Sequence, residues 1–198
     1  MADNGWMSTH AAKSLQRLMP HIEDRFKAEI LAEPVHWQSF LRRLNREWER
    51  LFYHLQRVYG WQYDFFFTLE QVLCLLAQSW FQRPEDLKRL DEAREADPLW
   101  YTSQTVVGGV LYVDLFSDNL AKLHQHIPYF KKLGLSYLHL MPLFAVPHGD
   151  NDGGYAVSDY RAVNPDIGTM QELAQLTREL RSEGISLVLD LVFNHTSN

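Results

Sequence analysis

The sequence ISLVLDLVFNH at residues 185–195 is the strongest single indication of the fold. It is almost continuously apolar from Ile185 to Phe193 and then ends on two polar residues, Asn194 and His195. Near-continuous apolar strands are typical of parallel sheets that are covered on both faces. The stretch therefore predicts a parallel strand over 185–193 with polar side chains at its carboxyl end.

Two similar apolar runs precede this strand, over 107–116 and 136–143. Helical patterns separate the three runs: one over 120–133, with Pro128 expected to start a new turn or kink it, and one over 170–180. We expect a long loop over 144–168. Strand–helix–strand–helix–strand predicts an α/β fold with a parallel sheet. The pattern alone leaves open a doubly wound sheet and a (β/α)8 barrel, which both place ligands at the carboxyl ends of their strands.

The chain changes character near Asp97 and Pro98. Before them, apolar residues recur at spacings of three and four, and the longest such stripe ends before Gly60. We therefore expect an all-helical domain over 1–97 and the α/β domain over 98–198. The expected helices of the first domain cover residues 13–19, 22–31, 37–59, 63–81 and 84–96.

The composition excludes several classes of partner. A formal charge of −6 argues against a nucleic-acid partner, because such proteins concentrate positive charge. Cys74 is the single cysteine, which rules out an internal disulfide, and its apolar surroundings predict a buried thiol. The first ten residues do not resemble a secretory signal, and no apolar run approaches the ~20 residues of a membrane helix. A cytoplasmic protein with no membrane partner is expected.

Polar residues follow each predicted strand, where an α/β fold places its ligands. A dinucleotide site is disfavoured, because the first strand leads into Phe116-Ser117-Asp118-Asn119 where a glycine-rich turn is needed. His139 falls inside the second strand and is interpreted as a core or packing residue. The polar residues at the strand ends are Asp114, Asp152, Tyr155, Asp190, Asn194 and His195.

Each of these signals has a structural alternative. Asn194 and His195 either cap a strand or offer an imidazole that donates a hydrogen bond to a substrate hydroxyl. One histidine beside one asparagine supplies too few ligands for a metal site. Residues 150–155 either form a turn of Asp, Asn and Gly or hold the Tyr155 ring above the sheet, where it suits stacking on a sugar.

Four ordered segments together resemble the first three strands of the alpha-amylase clan: 108–116, 137–143, 152–158 and 190–195. The last of them, Asp190 followed four and five residues later by Asn194 and His195, is similar to the clan's first signature region. The second strand and its loop are closest to amylosucrase, and the helical segment before the strands also resembles that family's N-terminal domain.

The resemblance implies the first three βα units of an incomplete (β/α)8 barrel and a retaining transfer of glucose from sucrose to an α-glucan, with release of fructose. It implies that Asp152, Tyr155 and His195 line the glucosyl pocket, while Asp190 and Asn194 support the strand end. The family takes its catalytic carboxyl groups from the fourth and fifth strands, so no catalytic residue is expected here. No metal and no cofactor are expected.

The 198-residue chain is therefore expected to be inactive alone. The alternatives are a sucrose hydrolase or another hydrolase of the clan, and a noncatalytic module that binds glucan and pairs through its helices as a homodimer.

Overall fold

The computed structural model of the chain describes residues 4–197. Residues 1–3 and 198, which the predicted domains 1–97 and 98–198 include, lie outside the described residues. The chain divides into two compact units, one up to Ala93 and one from Arg94. The predicted domain boundary after residue 97 stays a prediction. No helix among the described residues is long and apolar enough to span a membrane.

The first unit is helical. Its helices are α1 (Asn4–Arg25), α2 (Lys27–Ala32), α3 (Pro34–Tyr59), α4 (Phe65–Gln82) and α5 (Glu85–Ala96), of which the last three residues belong to the second unit. The predicted helix over 37–59 is confirmed and begins three residues earlier, at Pro34, a residue suited to a first turn. The predicted break between residues 19 and 22 is wrong, since α1 continues through Pro20 and ends at Arg25.

The core of the helical unit is rich in aromatic rings. The buried apolar residues of α3 recur three or four positions apart, so they share one face of the helix. Trp37 stacks on Phe81 with ring centroids 5.9 Å apart, and the Trp48 Nε1 donates to the Ala11 carbonyl at 2.7 Å. Cys74 is buried in this core, as predicted. The buried residues of α3 are Trp37, Ser39, Phe40, Leu44, Trp48 and Phe52.

The second unit is built on a three-stranded parallel sheet, in which β2 (Tyr137–Leu140) lies between β1 (Gly108–Leu111) and β5 (Ser186–Leu189). A helical part followed by parallel strands is thus confirmed, and the order agrees with the start of a (β/α)8 barrel. The elements are β1 (Gly108–Leu111), α6 (Val113–Ser117), α7 (Leu120–His124), α8 (Ile127–Lys132), β2 (Tyr137–Leu140), β3 (Phe144–Ala145), β4 (Asp159–Val163), α9 (Met170–Ser182) and β5 (Ser186–Leu189), with 3-10 turns at Trp100–Thr102 and Asp152–Gly154.

The strands are shorter than the apolar runs that predicted them. The run over 107–116 was predicted as one strand, but the chain enters α6 at Val113, and the Phe116 ring packs against Phe130 at 5.8 Å. A short apolar run does not distinguish a strand from a buried helical turn, which explains the error. Pro128 lies in the first turn of α8, after a break, as predicted. The expected loop over 144–168 contains an antiparallel pair, β3 and β4.

The two faces of the parallel sheet differ. Side chains alternate between the faces of a strand, and Leu138 and Leu140 of β2 are fully buried on the face that the helices cover. On the opposite face, His139 lies in register between Val110 of β1 and Val188 of β5. Val110 is 64% exposed. We call this second side, which carries Val110, His139 and Val188, the open face of the sheet.

Candidate functional site

Three polar side chains meet at the carboxyl end of the open face. The Asp190 carboxylate follows β5 directly, and its Oδ1 lies 2.9 Å from Nε2 of His139. Its other oxygen, Oδ2, accepts a hydrogen bond from the Tyr155 hydroxyl at 3.1 Å. All three side chains are half-buried. The structure thus joins a residue of β2, a residue after β5 and a residue of the loop between them.

The register of the sheet explains why His139 meets Asp190. His139 is paired with Val188, and Asp190 lies two residues beyond Val188. Residues two apart in an extended chain point to the same face, so the carboxylate is on the open face, one row beyond the imidazole. The interpretation of His139 as a core or packing residue is corrected here, because its ring nitrogen contacts a carboxylate at the site.

The loop that carries Tyr155 is shaped by an asparagine and two glycines. The Asn151 side chain accepts from the Gly154 backbone N–H at 3.0 Å, which closes the turn. Gly154 has φ +92°, and a Cβ there would lie 3.0 Å from Cβ of Pro142. A side chain at this position would meet both a disfavoured backbone conformation and a close contact. The turn interpretation of residues 150–155 and the placement of the Tyr155 ring are therefore compatible.

The surroundings of Tyr155 keep its phenol protonated. Partial burial raises the pKa of this hydroxyl, and the hydrogen bond to Asp190 and the negative charges of Asp190 and Asp152 act in the same direction. A protonated phenol is a hydrogen-bond donor, which is what the Asp190 carboxylate requires. The carboxylate of Asp152 thus contributes to the raised pKa of Tyr155.

The remaining candidate residues lie on the surface around this cluster. Asp152 lies three residues before Tyr155 and has φ +53° and an exposed side chain. Its negative charge raises the pKa of Tyr155. Asn194 and His195 follow β5 in an irregular segment, and both side chains are exposed. Asp114 is exposed on α6. Within residues 4–197, the side chains of Asn194 and His195 form no hydrogen bond with the cluster or with each other.

Tyr160 of β4 contacts the segment that carries His195 through hydrogen bonds and ring stacking. Its hydroxyl donates to the Val192 carbonyl and lies 3.4 Å from the His195 carbonyl. Its ring also stacks on Phe193, with centroids 6.2 Å apart and planes inclined by 23°. The backbone N–H of Ser197 donates to the Val157 carbonyl at 3.1 Å, which holds the far side of the segment.

His139 and Tyr160 are the residues that sequence reasoning missed. The buried leucines at 138 and 140 offered a signal for His139, since alternation places it on the other face. Tyr160 had no comparable signal, because its contacts join residues more than thirty positions apart.

The candidate residues supply both apolar and hydrogen-bonding surface: the Tyr155 ring is half-buried and hydrogen-bonded to Asp190, and the Asp152 carboxylate and the His195 imidazole are exposed. Such sites use a few polar groups to orient a ligand that packs against apolar side chains. Within the described residues, no three His, Cys, Asp or Glu side chains are grouped to hold a metal ion.

Comparison with known proteins identifies relatives of the second half of the chain. Residues 102–198 match the family model described as alpha amylase, catalytic domain. Trehalose-6-phosphate hydrolase of Escherichia coli (strain K12) is 42% identical over 107 residues, which cover 50% of this chain and 19% of the relative. Oligo-1,6-glucosidase of Parageobacillus thermoglucosidasius is 42% identical over 72 residues, 36% of this chain and 12% of the relative.

Among solved structures, the trehalulose synthase MutB from Pseudomonas mesoacidophila MX-45 is 31% identical, with a TM-score of 0.42. That match covers 46% of this chain and 17% of MutB. The chain therefore spans about a fifth or less of the length of these relatives.

Proposed function

Since residues 102–198 are catalytic-domain sequence of the alpha-amylase family, we propose that they form part of a glucosyl pocket whose whole enzyme transfers glucose from sucrose to an α-glucan. In this proposal the Tyr155 ring stacks on the glucosyl unit, His195 donates a hydrogen bond to one of its hydroxyls, and Asp152 forms part of the pocket floor. Asp190 and Asn194 support these residues. The observation that carries the proposal is the hydrogen bond of 3.1 Å from the Tyr155 hydroxyl to Asp190.

The chemistry of the proposed transfer needs two carboxyl groups about 5 Å apart. One attacks the anomeric carbon as the bond to the fructosyl oxygen breaks, and the other donates its proton to that oxygen. Fructose leaves, and the second group then removes the proton of an acceptor hydroxyl as the hydroxyl oxygen attacks the anomeric carbon and the bond to the first carboxyl group breaks. Asp190 is unsuited to either role, because His139 and Tyr155 already hold its two oxygens.

We therefore propose that the 198-residue chain binds sugar but does not turn it over. The cytoplasmic location and the homodimer through the helical unit belong to the same proposal. The support for the latter is the exposed aromatic side chains of that unit, among them Trp61 and Tyr63.

Hydrolysis is the second candidate, favoured by two of the relatives, a trehalose-6-phosphate hydrolase and an oligo-1,6-glucosidase. One assay separates the possibilities: the purified chain is incubated with sucrose, and fructose, glucose and glucan are measured by chromatography. If the chain forms no more fructose, glucose or glucan than its His195→Ala variant, the proposal is supported. Fructose with an equal amount of glucose would instead show a hydrolase, and fructose in excess over glucose a transferase active without further residues.

Sugar binding is tested by nuclear magnetic resonance titration of the chain with sucrose and, separately, with maltohexaose. Tyr155→Ala is expected to weaken binding roughly threefold to tenfold, since aromatic contacts contribute about 0.5–1.5 kcal/mol. Tyr63→Ala is the control, because Tyr63 is a fully exposed tyrosine of the helical unit. Equal affinity of the two variants would contradict the assigned role of Tyr155.

A further inference from the structure

We propose that His139 is a positioning residue that sets the orientation of the Tyr155 ring, acting through the Asp190 carboxylate. That the ring faces a sugar rests on the function proposed above, whereas the linkage between the three side chains does not. His139 lies inside β2, three residues before Pro142, and in this proposal it helps to hold the Tyr155 ring in place.

The two carboxylate oxygens of Asp190 have different partners. Oδ1 faces Nε2 of His139 at 2.9 Å, and Oδ2 accepts from the Tyr155 hydroxyl at 3.1 Å. A carboxylate has one soft torsion at its end, so a contact at one oxygen restricts the position of the other. His139 thus fixes the plane in which Asp190 accepts from Tyr155.

Both hydrogen bonds are donated to Asp190. An ionised carboxylate only accepts, so Nε2 of His139 carries a proton and the phenol donates its own. The raised pKa of Tyr155, caused chiefly by partial burial, agrees with a phenol that stays protonated. Both donors therefore converge on Asp190, and hydrogen bonds to a charged group are the stronger kind.

The loop backbone and the Tyr155 ring are held by different groups. The N–H groups of Gly154 and Ala156 donate to Asn151, which shapes the loop backbone but leaves the side-chain torsions of Tyr155 free. Within the described residues, the hydrogen bond of the phenol is the one to Asp190. The orientation of the ring is consequently set from β2 and the end of β5, which belong to the rigid sheet.

The test uses the purified chain labelled with 3-fluorotyrosine and observed by fluorine magnetic resonance. The signal of Tyr155 is assigned with the Tyr155→Phe variant. His139→Leu removes the donor, so we expect the Tyr155 signal to move by more than its linewidth. Val110→Leu is the matched control, because Val110 lies in the same row of the open face and is exposed; its Tyr155 signal is expected to stay in place.

Two conservative variants keep the test decisive if His139→Leu does not fold. The amide nitrogen of glutamine reaches the position of Nε2, whereas that of asparagine corresponds to Nδ1. His139→Gln is therefore expected to restore the native Tyr155 signal, and His139→Asn is not. A Tyr155 signal that is unchanged in His139→Leu, or identical in the Gln and Asn variants, would overturn the proposal.

Sucrose titration of the same variants separates this inference from the proposed function. If both hold, His139→Asn weakens sucrose binding roughly threefold to tenfold, the range expected for one lost hydrogen bond, and His139→Gln retains most of it. If the fluorine signals behave as expected but no variant affects sucrose binding, the positioning role stands and the sugar-binding role of Tyr155 fails.

Discussion

The helical unit and the second unit bury their apolar side chains in different ways. In the helical unit, α1, α3 and α4 surround one aromatic core with helices of 22, 26 and 18 residues. In the second unit, short helices and α9 cover one face of a three-stranded sheet, while His139 and Val110 lie on the other face. A closed core is sufficient for stability, whereas an open sheet face leaves room for polar side chains at the strand ends. The candidate site is found on that open face.

The largest expected effect tests the difference between the two faces of the sheet. Leu138 is fully buried under the helices, so Leu138→Ala should lower the free energy of unfolding by about 2–5 kcal/mol. Val110→Ala should lower it by at most about 1 kcal/mol, because an exposed valine contributes mainly its strand preference. Urea unfolding of both variants, followed by far-ultraviolet circular dichroism, measures the two values. Similar losses would mean that both faces are covered, and the comparison would fail.

A smaller effect is expected at the start of α9, which covers the sheet. Thr169 and Glu172 form a capping box: the Glu172 N–H donates to Oγ1 of Thr169 at 3.2 Å, and the Thr169 N–H donates to the Glu172 carboxylate at 2.8 Å. Thr169→Ala should reduce the free energy of unfolding by about 1 kcal/mol. Gln171→Ala, an exposed change in the same turn, is the control. Equal unfolding midpoints for the two variants would show that the cap contributes nothing to the helix.

The lengths of the helices and strands determine how well the sequence predicts the two units. The amphipathic stripe of α3 extends over 26 residues, so seven turns repeat the same pattern and the helix is found almost to the residue. The strands of the parallel sheet have four residues each, and β3 and β4 have two and five. Two to five residues do not establish a period, which is why the predicted strands were too long and β3 and β4 were missed.

The candidate site was predicted less completely than the fold, for a different reason. Tyr155 and Asp190 were both named from their places at predicted strand ends, but their hydrogen bond joins positions 35 residues apart. The contact between His139 and Asp190 depends on the register of β2 against β5, and the sequence does not specify a register before the strands are paired. Residue types at strand ends were therefore predictable, and their connections were not.

The smallest expected effect concerns a polar cluster at the edge of the helical core. The hydrogen bond from His36 at 2.7 Å holds the pKa of the Glu33 carboxyl below its ordinary value of 4.5, and the charge of the buried Lys88, 3.6 Å away, acts in the same direction. A carboxyl whose pKa is lower in the folded state stabilises the fold above its unfolded pKa, and this contribution is lost as the pH falls through the folded pKa. It should therefore be complete at neutral pH and disappear below pH 4.5.

Glu33→Gln should accordingly destabilise the chain at neutral pH and leave it nearly unchanged in acid. The loss is expected to stay near or below about 1 kcal/mol, because the Glu33 side chain is 44% exposed and solvent screens the pair. Glu29→Gln is the matched control, an exposed glutamate of α2. Urea unfolding midpoints of both variants at neutral pH and below pH 4.5 test the sign. A Glu33→Gln loss that grows as the pH falls would contradict the lowered pKa of Glu33.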